Sequence, residues 1–381
     1  MEYRRFGKTE KEISVITLGG MRFPHGWDEP REELPKDSID NCIEITQKAF
    51  DVGINHVESA WGYVKSEHLF GEVLSRLDKK RSEYYFMTKG TAEDEEGMIQ
   101  KVKLQLQHLK MEYVDFYGFH GINTHEILSN VVKKGGALDG LLRLKKDGLI
   151  KHIGFSTHGP LNVIMDSVNT GLFEFVNLHY YYFYQRNYPV VALAKHKDLG
   201  VFIISPNDKG GQLWNASEKV KNTCKPLTPI QFNARFCLSH PEIATMSFGI
   251  NELSQFKESL GVLNNGIYFS PEDREIMVSM DKMVSNIGEN YCTYCSECLP
   301  CPEKINIPEI LRFRNMAVGY DMINFGRYRY NMFEPDGHWF PGNFGNKCTD
   351  CNDCLSRCPL QLKIPSLLRG THSLLYREKT P

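Results

Sequence analysis

The sequence predicts an α/β protein: a (β/α)8 TIM barrel over residues 1–268, a linker helix over 269–286, and a small, mainly α-helical domain over 287–381. Two observations carry this. Eight short β-rich runs alternate with amphipathic stretches over roughly 250 residues, the count and length of such a barrel. Eight of the eleven cysteines then crowd into two runs near the C-terminus.

The β-rich runs are Ile13–Leu18, Ile54–Glu58, Tyr84–Thr88, Val114–Phe119, Ile150–Phe155, Phe175–Leu178, Val201–Ser205 and Ile243–Phe248. Between them, Ser38–Asp51, Glu67–Leu77, Glu95–Leu109, Leu138–Lys146 and Leu253–Leu263 repeat apolar residues at spacings of three and four, the period of a helix with one buried face. Gly53, Gly148 and Gly200 each stand just before a strand, where a helix C-cap belongs. A doubly wound sheet is the alternative, but no G-x-G-x-x-G follows the first strand. Tyr3–Phe6, a Gly-Lys-Thr turn and Ile13 onward form a hairpin that caps the barrel's bottom. Beyond residue 265, Ser270-Pro-Glu-Asp starts a helix running to about Asn286, and Ile307-Pro-Glu-Ile-Leu-Arg-Phe-Arg-Asn reads as another. No internal repeat stands out.

The second cysteine run, Cys348, Cys351, Cys354 and Cys358 before Pro359, is C-x2-C-x2-C-x3-C-P, the bacterial iron–sulfur pattern. The first, Cys292, Cys295, Cys298 and Cys301 before Pro302, has x2 before its last cysteine. The fourth cysteine of each run is expected to cross over. Cys292, Cys295, Cys298 and Cys358 then hold one [4Fe–4S] cluster, and Cys348, Cys351, Cys354 and Cys301 the other. Zinc sites would more usually pair C-x2-C elements far apart in sequence. Disulfides do not suit a chain without an export signal.

A net charge of −2, with 41% hydrophobic and 24% charged residues, describes an ordinary globular protein with no basic field for nucleic acid. No apolar run approaches the ~20 residues of a membrane span. The expectation is a cytoplasmic protein that binds neither nucleic acid nor membrane.

Three strands end on ionisable residues: Glu58, Lys89 and His120, with Tyr63 in the loop after the first of them. Barrel enzymes place reactive groups at these ends. A phenol has an ordinary pKa near ~10. A neighbouring ammonium is expected to lower it, and a carboxylate to hold the ammonium in place. Such a tyrosine protonates a carbonyl oxygen, and a histidine opposite orients it. His56, His158 and His179 show no metal-binding spacing. Tyr180-Tyr-Tyr-Phe-Tyr184 either lines a substrate pocket or packs against the cluster domain.

Gly53-Ile-Asn-His-Val-Glu-Ser-Ala-Trp-Gly-Tyr63, Met87-Thr-Lys89, Tyr113-Val-Asp-Phe-Tyr-Gly-Phe-His120 and His152-Ile-Gly-Phe-Ser156 resemble the successive signatures of the aldo–keto reductases. With the cysteine domain, the chain resembles the branch carrying a C-terminal iron–sulfur domain. The resemblance implies Tyr63 as proton donor, Lys89 and Glu58 tuning it, His120 orienting a carbonyl or alcohol substrate, and NADP or NAD as hydride source. It implies nucleotide contacts from Ser156, Thr157, Asn177, Ser205, Lys209, Gly210, Gly211, Gly249, Asn251 and Gln255, with Ser205–Gly211 wrapping the pyrophosphate. Glu58 replaces the family's usual aspartate, Thr157 its asparagine, Asn177 its glutamine and Ile204 its stacking tyrosine. Gly249-Ile-Asn251-Glu252 lacks the basic residue that commonly meets an NADP 2′-phosphate.

Nicotinamides carry two electrons as hydride whereas clusters carry one, and no flavin motif is present. The favoured reading is a carbonyl or alcohol oxidoreductase whose two [4Fe–4S] clusters relay electrons with a ferredoxin or other redox partner. One alternative is an electron-transfer protein whose barrel binds a small molecule without hydride transfer. Another is an acid–base lyase or epimerase with structural clusters.

Overall fold

The computed structural model describes residues 1–263, 267–335 and 341–378. They form two compact units, Met1–Pro206 with Asn233–Tyr268, and Asn207–Phe232 with Phe269–Pro381. The excursion 207–232, expected with the barrel, packs instead within the second unit.

The first unit opens with a hairpin of β1 (Tyr3–Arg5) and β2 (Glu12–Ser14), paired antiparallel with Arg4 opposite Ile13. Eight parallel strands follow: β3 (Ile16–Gly19), β4 (His56–Glu58), β5 (Tyr85–Gly90), β6 (Val114–His120), β7 (Ile150–Ser156), β8 (Phe175–Leu178), β9 (Gly200–Ile203) and β10 (Ile243–Gly249). Pairing of β10 with β3, Gly249 opposite Gly19, closes the barrel. The run read as one strand from Ile13 divides at Val15, since its first half pairs in the hairpin and its second in the barrel.

The helices are α1 (Lys36–Asp51), α2 (Ser66–Leu74), α3 (Glu95–Leu109), α4 (His125–Val132), α5 (Ala137–Lys146), α6 (Leu161–Asn169), α7 (Tyr188–His196), α8 (Glu218–Cys224), α9 (Pro229–Leu238) and α10 (Gln255–Gly261). Asp94 caps α3 by accepting from the Gly97 amide at 2.8 Å, and Thr124 caps α4 from the Ile127 amide at 3.1 Å, satisfying amides that a helix start leaves open. Gly53 and Gly148 take left-handed φ of 87° and 82° after helix ends. Gly200 does not. Asp198 supplies the left-handed residue there, and a Cβ on Gly200 would stand 2.4 Å from the Phe6 ring. That glycine admits Phe6 rather than capping a helix.

Phe6 plugs the barrel's lower end, edge-on to Phe116 at 5.1 Å and 5.4 Å from Phe175. Ile13, Met87, Phe202, Ile204 and Ala244 complete that core. The interior is packed, which confines open chemistry to the strands' carboxyl ends.

In the second unit, α11 (Pro271–Ser285) carries the expected start: Ser270 Oγ accepts from the Asp273 amide at 3.2 Å while Asp273 accepts from the Ser270 amide at 2.8 Å. After it come α12 (Ile307–Gly319), α13 (Ile323–Tyr330), α14 (Asp353–Arg357) and α15 (Ile364–Leu375).

The two cysteine segments are built alike, which corrects the expectation of no repeat. Tyr294 and Ser296 flank Cys295 with left-handed φ of 63° and 69°, and Asp350 and Asn352 flank Cys351 with 57° and 66°. Cys301-Pro-Glu-Lys-Ile-Asn-Ile-Pro308 leads into α12 as Cys358-Pro-Leu-Gln-Leu-Lys-Ile-Pro365 leads into α15. Lys304 and Gln361 share φ of 53° and 52°, and their amides donate to the Cys301 and Cys358 carbonyls at 2.9 and 3.0 Å. The one-residue difference in cysteine spacing hides the repeat in the sequence.

Candidate functional site

The barrel's upper end brings the four expected residues together. Lys89 and Glu58, 1% and 3% exposed, lie at the carboxyl ends of the neighbouring strands, Glu58 as the last residue of β4 and Lys89 as the last but one of β5. Lys89 Nζ donates to a Glu58 carboxylate oxygen and to the Ser59 carbonyl, the latter at 2.7 Å. The second Glu58 oxygen, Oε1, accepts from Ser247 Oγ at 2.9 Å. Ser247 was not read from the sequence; it lies on β10, two strands away, and barrel closure delivers it. Tyr63 presents its ring 5.0 Å from Lys89 Nζ and edge-on to His120 at 6.1 Å.

This geometry reverses one expectation. Burial, and then the Glu58 carboxylate, push the Tyr63 phenol well above its ordinary value. Lys89 directs its donors at Glu58 and Ser59, and only faces the tyrosine ring.

Ser156 and Asn177 are register partners on β7 and β8, and His120 is the partner of Ser156 on β6. Ser156 Oγ and Asn177 Oδ1 are buried and have no hydrogen-bond partner. Such orphans are costly and fit a ligand with amide-like donors and acceptors. Thr157 differs: its hydroxyl donates to the Ile122 carbonyl at 2.7 Å and accepts from the Gly159 amide at 3.0 Å. Asn251 and Gln255 close on each other, the Gln255 amide nitrogen donating to Asn251 Oδ1 at 2.5 Å. A Cβ on Gly249 would lie 2.4 Å from Arg22 Cγ. Ser205 has a left-handed φ of 52°.

Lys209, Gly210 and Gly211 belong to the second unit. There Arg312 donates to the Lys209 carbonyl at 2.5 Å and Arg329 pairs with Asp208 at 2.6 Å. The amides of Gly211 and Gln212 both donate to the Asp208 carbonyl, at 3.1 and 2.9 Å. Burial, and then Arg329, lower the Lys209 pKa to about 7. The Lys209 carbonyl and the Asp208 carboxylate are thereby tied to α12 and α13.

Other aromatic and histidine expectations resolve simply. Tyr180 to Tyr184 are all buried, so they pack rather than line an open pocket. His56 bonds Thr17 Oγ1 at 2.7 Å, and burial lowers its pKa to about 3. His158 and His179 bond each other at 2.6 Å.

In the second unit, two recesses are each lined by four cysteines. One holds Cys292, Cys295, Cys298 and Cys358 with Pro308, Leu311 and Ile364. The other holds Cys301, Cys348, Cys351 and Cys354 with Ile307, Pro365 and Leu368. Both recesses are small and partly open to solvent. These are the crossed sets that the spacing predicts. Burial raises the Cys292 and Cys298 thiols to about 11 and 12, so their thiolates would need a positively charged partner such as a metal. Asn315 braces the first recess, donating to the Cys292 carbonyl and to Tyr294 Oη at 2.8 Å each. Among the described residues, no group of three or more His, Cys, Asp or Glu is arranged to hold a single metal ion.

The sequence model of the aldo/keto reductase family matches residues 15–281. The chain belongs to the aldo/keto reductase family. A 4Fe-4S dicluster domain model matches residues 291–362, so this family member is an oxidoreductase barrel joined to a ferredoxin-type domain. An uncharacterized oxidoreductase, YqkF, of Bacillus subtilis is 20% identical over 302 residues, covering 69% of this chain and 92% of its own. Methylglyoxal reductase DkgA of Escherichia coli is 28% identical over 145 residues, which is 37% of this chain and 50% of DkgA. Among solved structures, the holo form of aldo-keto reductase AKR11C1 from Bacillus halodurans has a TM-score of 0.61 at 17% identity, covering 73% of this chain and 96% of its own. An aldo-keto reductase from Klebsiella pneumoniae in complex with NADPH scores 0.59 at 16% identity, covering 73% and 94%. These likenesses show the same barrel. Among the described residues, no helix is long and apolar enough to cross a membrane.

Proposed function

We propose that the protein transfers hydride between a nicotinamide dinucleotide and a small carbonyl or alcohol, with Tyr63 as proton donor and two [4Fe–4S] clusters in its second unit. The convergence of Tyr63, His120, Lys89 and Glu58 at one barrel mouth carries this reading. A nicotinamide would supply hydride, and the clusters single electrons.

The chain's own residues supply the rest. His120 orients the carbonyl oxygen, and Tyr63 gives it a proton. Lys89, held by Glu58 and Ser59, fixes the tyrosine ring through its face. The orphaned Ser156 Oγ and Asn177 Oδ1 suit a carboxamide, since one donates and the other accepts. The raised Tyr63 pKa keeps the phenol protonated at neutral pH, which favours reduction over alcohol oxidation. NADP versus NAD turns on residues 249–252, where Glu252 stands in place of a cation and favours NAD. The exposed Cys295 and Cys351 bring each recess to the surface, which supports exchange with a ferredoxin-like partner in the cytoplasm.

One observation favours a second reading. The Lys209 carbonyl and the Asp208 carboxylate are tied to α12 and α13, which leaves this loop fewer groups for a pyrophosphate, as in a barrel that binds a small molecule without hydride transfer. Calorimetric binding of NADPH and NADH to the cluster-loaded protein, followed by turnover with methylglyoxal and other small carbonyls, separates the two. Binding with turnover that Tyr63→Phe abolishes supports the proposal. Absence of binding by either nucleotide leaves the second reading. An anaerobic titration with the same nucleotides, followed by EPR, tests whether the clusters accept the electrons.

A further inference from the structure

Beside the proposed catalytic group, two cations converge on one indole. Trp61 lies two residues before Tyr63, and at the glycine between them a Cβ would stand 3.6 Å from His120 Cε1. Arg31 donates to the Trp61 carbonyl at 2.7 Å and places its guanidinium carbon 4.3 Å from the indole centroid. Lys101 Nζ lies 3.7 Å from the same centroid. Its stem passes 3.3 Å from where a Cβ on Gly90 would sit, next to Lys89. His108 stacks on Trp61 at 5.5 Å, and His68 on His108 at 3.9 Å.

The helix period explains the gathering. Lys101, Gln105 and His108 lie at i, i+4 and i+7 on α3 and so share one face. The middle residue reaches the Lys89 carbonyl at 3.1 Å, which pins that face against the end of β5.

The charge is not balanced locally. Among the described residues, neither Arg31 nor Lys101 has a carboxylate within ion-pair distance. Glu32 and Glu67 lie near enough to influence the cluster's titration but form no such pair. Burial and the mutual influence of Arg31 lower the Lys101 pKa, the repulsion expected of two like charges on one ring. Indole–cation attraction of about 0.5–2 kcal/mol per contact offsets part of it. His68 Nε2 and His108 Nδ1 are buried without hydrogen-bond partners.

We propose that Arg31, Lys101, His68 and His108 around Trp61 form an anion subsite that holds a carboxylate or phosphate group carried by the carbonyl substrate. It rests on the reading of Tyr63 as the reacting tyrosine. Its residues come from the segments after β3 (Arg31), β4 (Trp61, His68) and β5 (Lys101, His108), rather than from the ends of β7 to β10 where the nucleotide contacts are expected, which assigns it to substrate.

The test is calorimetric binding to the cluster-loaded full-length protein, using 2-oxobutanoate, its neutral counterpart 2-butanone, inorganic phosphate, and adenosine 2′,5′-bisphosphate. Wild type, Tyr63→Phe, Lys101→Gln and Arg31→Gln/Lys101→Gln are compared, with melting curves and cluster absorption confirming folding. The expected result is that wild type binds 2-oxobutanoate and phosphate, and that Tyr63→Phe, which lacks the hydroxyl facing the carbonyl, still binds phosphate as wild type does. Lys101→Gln weakens that binding about tenfold, the loss of one charge-assisted contact, and the double variant weakens it further. Whichever of 2-oxobutanoate and phosphate binds more tightly identifies the substrate's anion. Unchanged affinity in Lys101→Gln and in the double variant, or equal binding of 2-butanone, overturns the proposal. So does loss of adenosine bisphosphate binding in the double variant, which would make the cluster a nucleotide contact. Anion binding without turnover of any carbonyl would leave the subsite standing and overturn the reductase reading.

Discussion

Lys89 turns its ammonium to Glu58 and the Ser59 carbonyl, while the ring of Tyr63 faces it from 5.0 Å. The lysine is thus a buried structural charge and a support for the tyrosine at once. Removing one partner of such a pair strands the other, at a cost of about 3–5 kcal/mol. Lys89→Met is expected to lower the melting temperature clearly and to reduce kcat by two orders of magnitude or more. Lys89→Met/Glu58→Leu should recover much of the stability and none of the activity. Thermal melts and steady-state rates on the same preparations check both.

The phenol of Tyr63 is raised above its ordinary value near ~10 by burial and by Glu58. A raised acid stays protonated until higher pH. Carbonyl reduction should therefore hold steady from about pH 6 to 9 and fall only beyond it, while alcohol oxidation should climb across the same range. A kcat profile in both directions tests this. A reductive rate that titrates away near neutrality would show that Lys89 lowers the phenol after all.

Ser156 Oγ and Asn177 Oδ1 lack partners, so in the nucleotide-free protein they contribute no hydrogen bond. Ser156→Ala and Asn177→Leu should each weaken NADPH or NADH binding roughly tenfold, while melting temperature without nucleotide stays level or rises. Titration calorimetry beside thermal melts distinguishes this from general damage, which lowers both.

The crossed cysteine sets predict paired losses. Cys358→Ser should remove the same cluster as Cys295→Ser, and Cys301→Ser the same as Cys351→Ser, each taking iron from about eight to about four per chain. Iron assay with EPR of the reduced proteins should give two spectra shared across the two pairs. Four different spectra, or loss of all iron in every variant, would contradict the crossed sets.

Much of the architecture was legible because barrel strands are short, apolar and bounded by glycines. Gly53 and Gly148 marked real left-handed caps, whereas Gly200 answered to Phe6, a contact almost 200 residues distant in sequence. The Ser247–Glu58 bond escaped for the same reason: it exists only once β10 closes on β3. The four mouth residues were legible from their positions at strand ends, but the direction of the Tyr63 shift was not. It follows from the burial of the phenol and then from the Glu58 carboxylate, and burial is set by the folded mouth rather than by local sequence. The excursion 207–232 reads as an ordinary barrel loop. Its attachment rests on Arg312 and Arg329, which no local pattern connects to Asp208 and Lys209.

The most direct test is anaerobic turnover of a small carbonyl with NADPH or NADH deuterated at the transferring carbon, using cluster-loaded protein. The expected product carries deuterium on its carbinol carbon with wild type, and none forms with Tyr63→Phe. Nucleotide oxidised with the clusters reduced and no deuterium in any alcohol would contradict hydride transfer in the barrel.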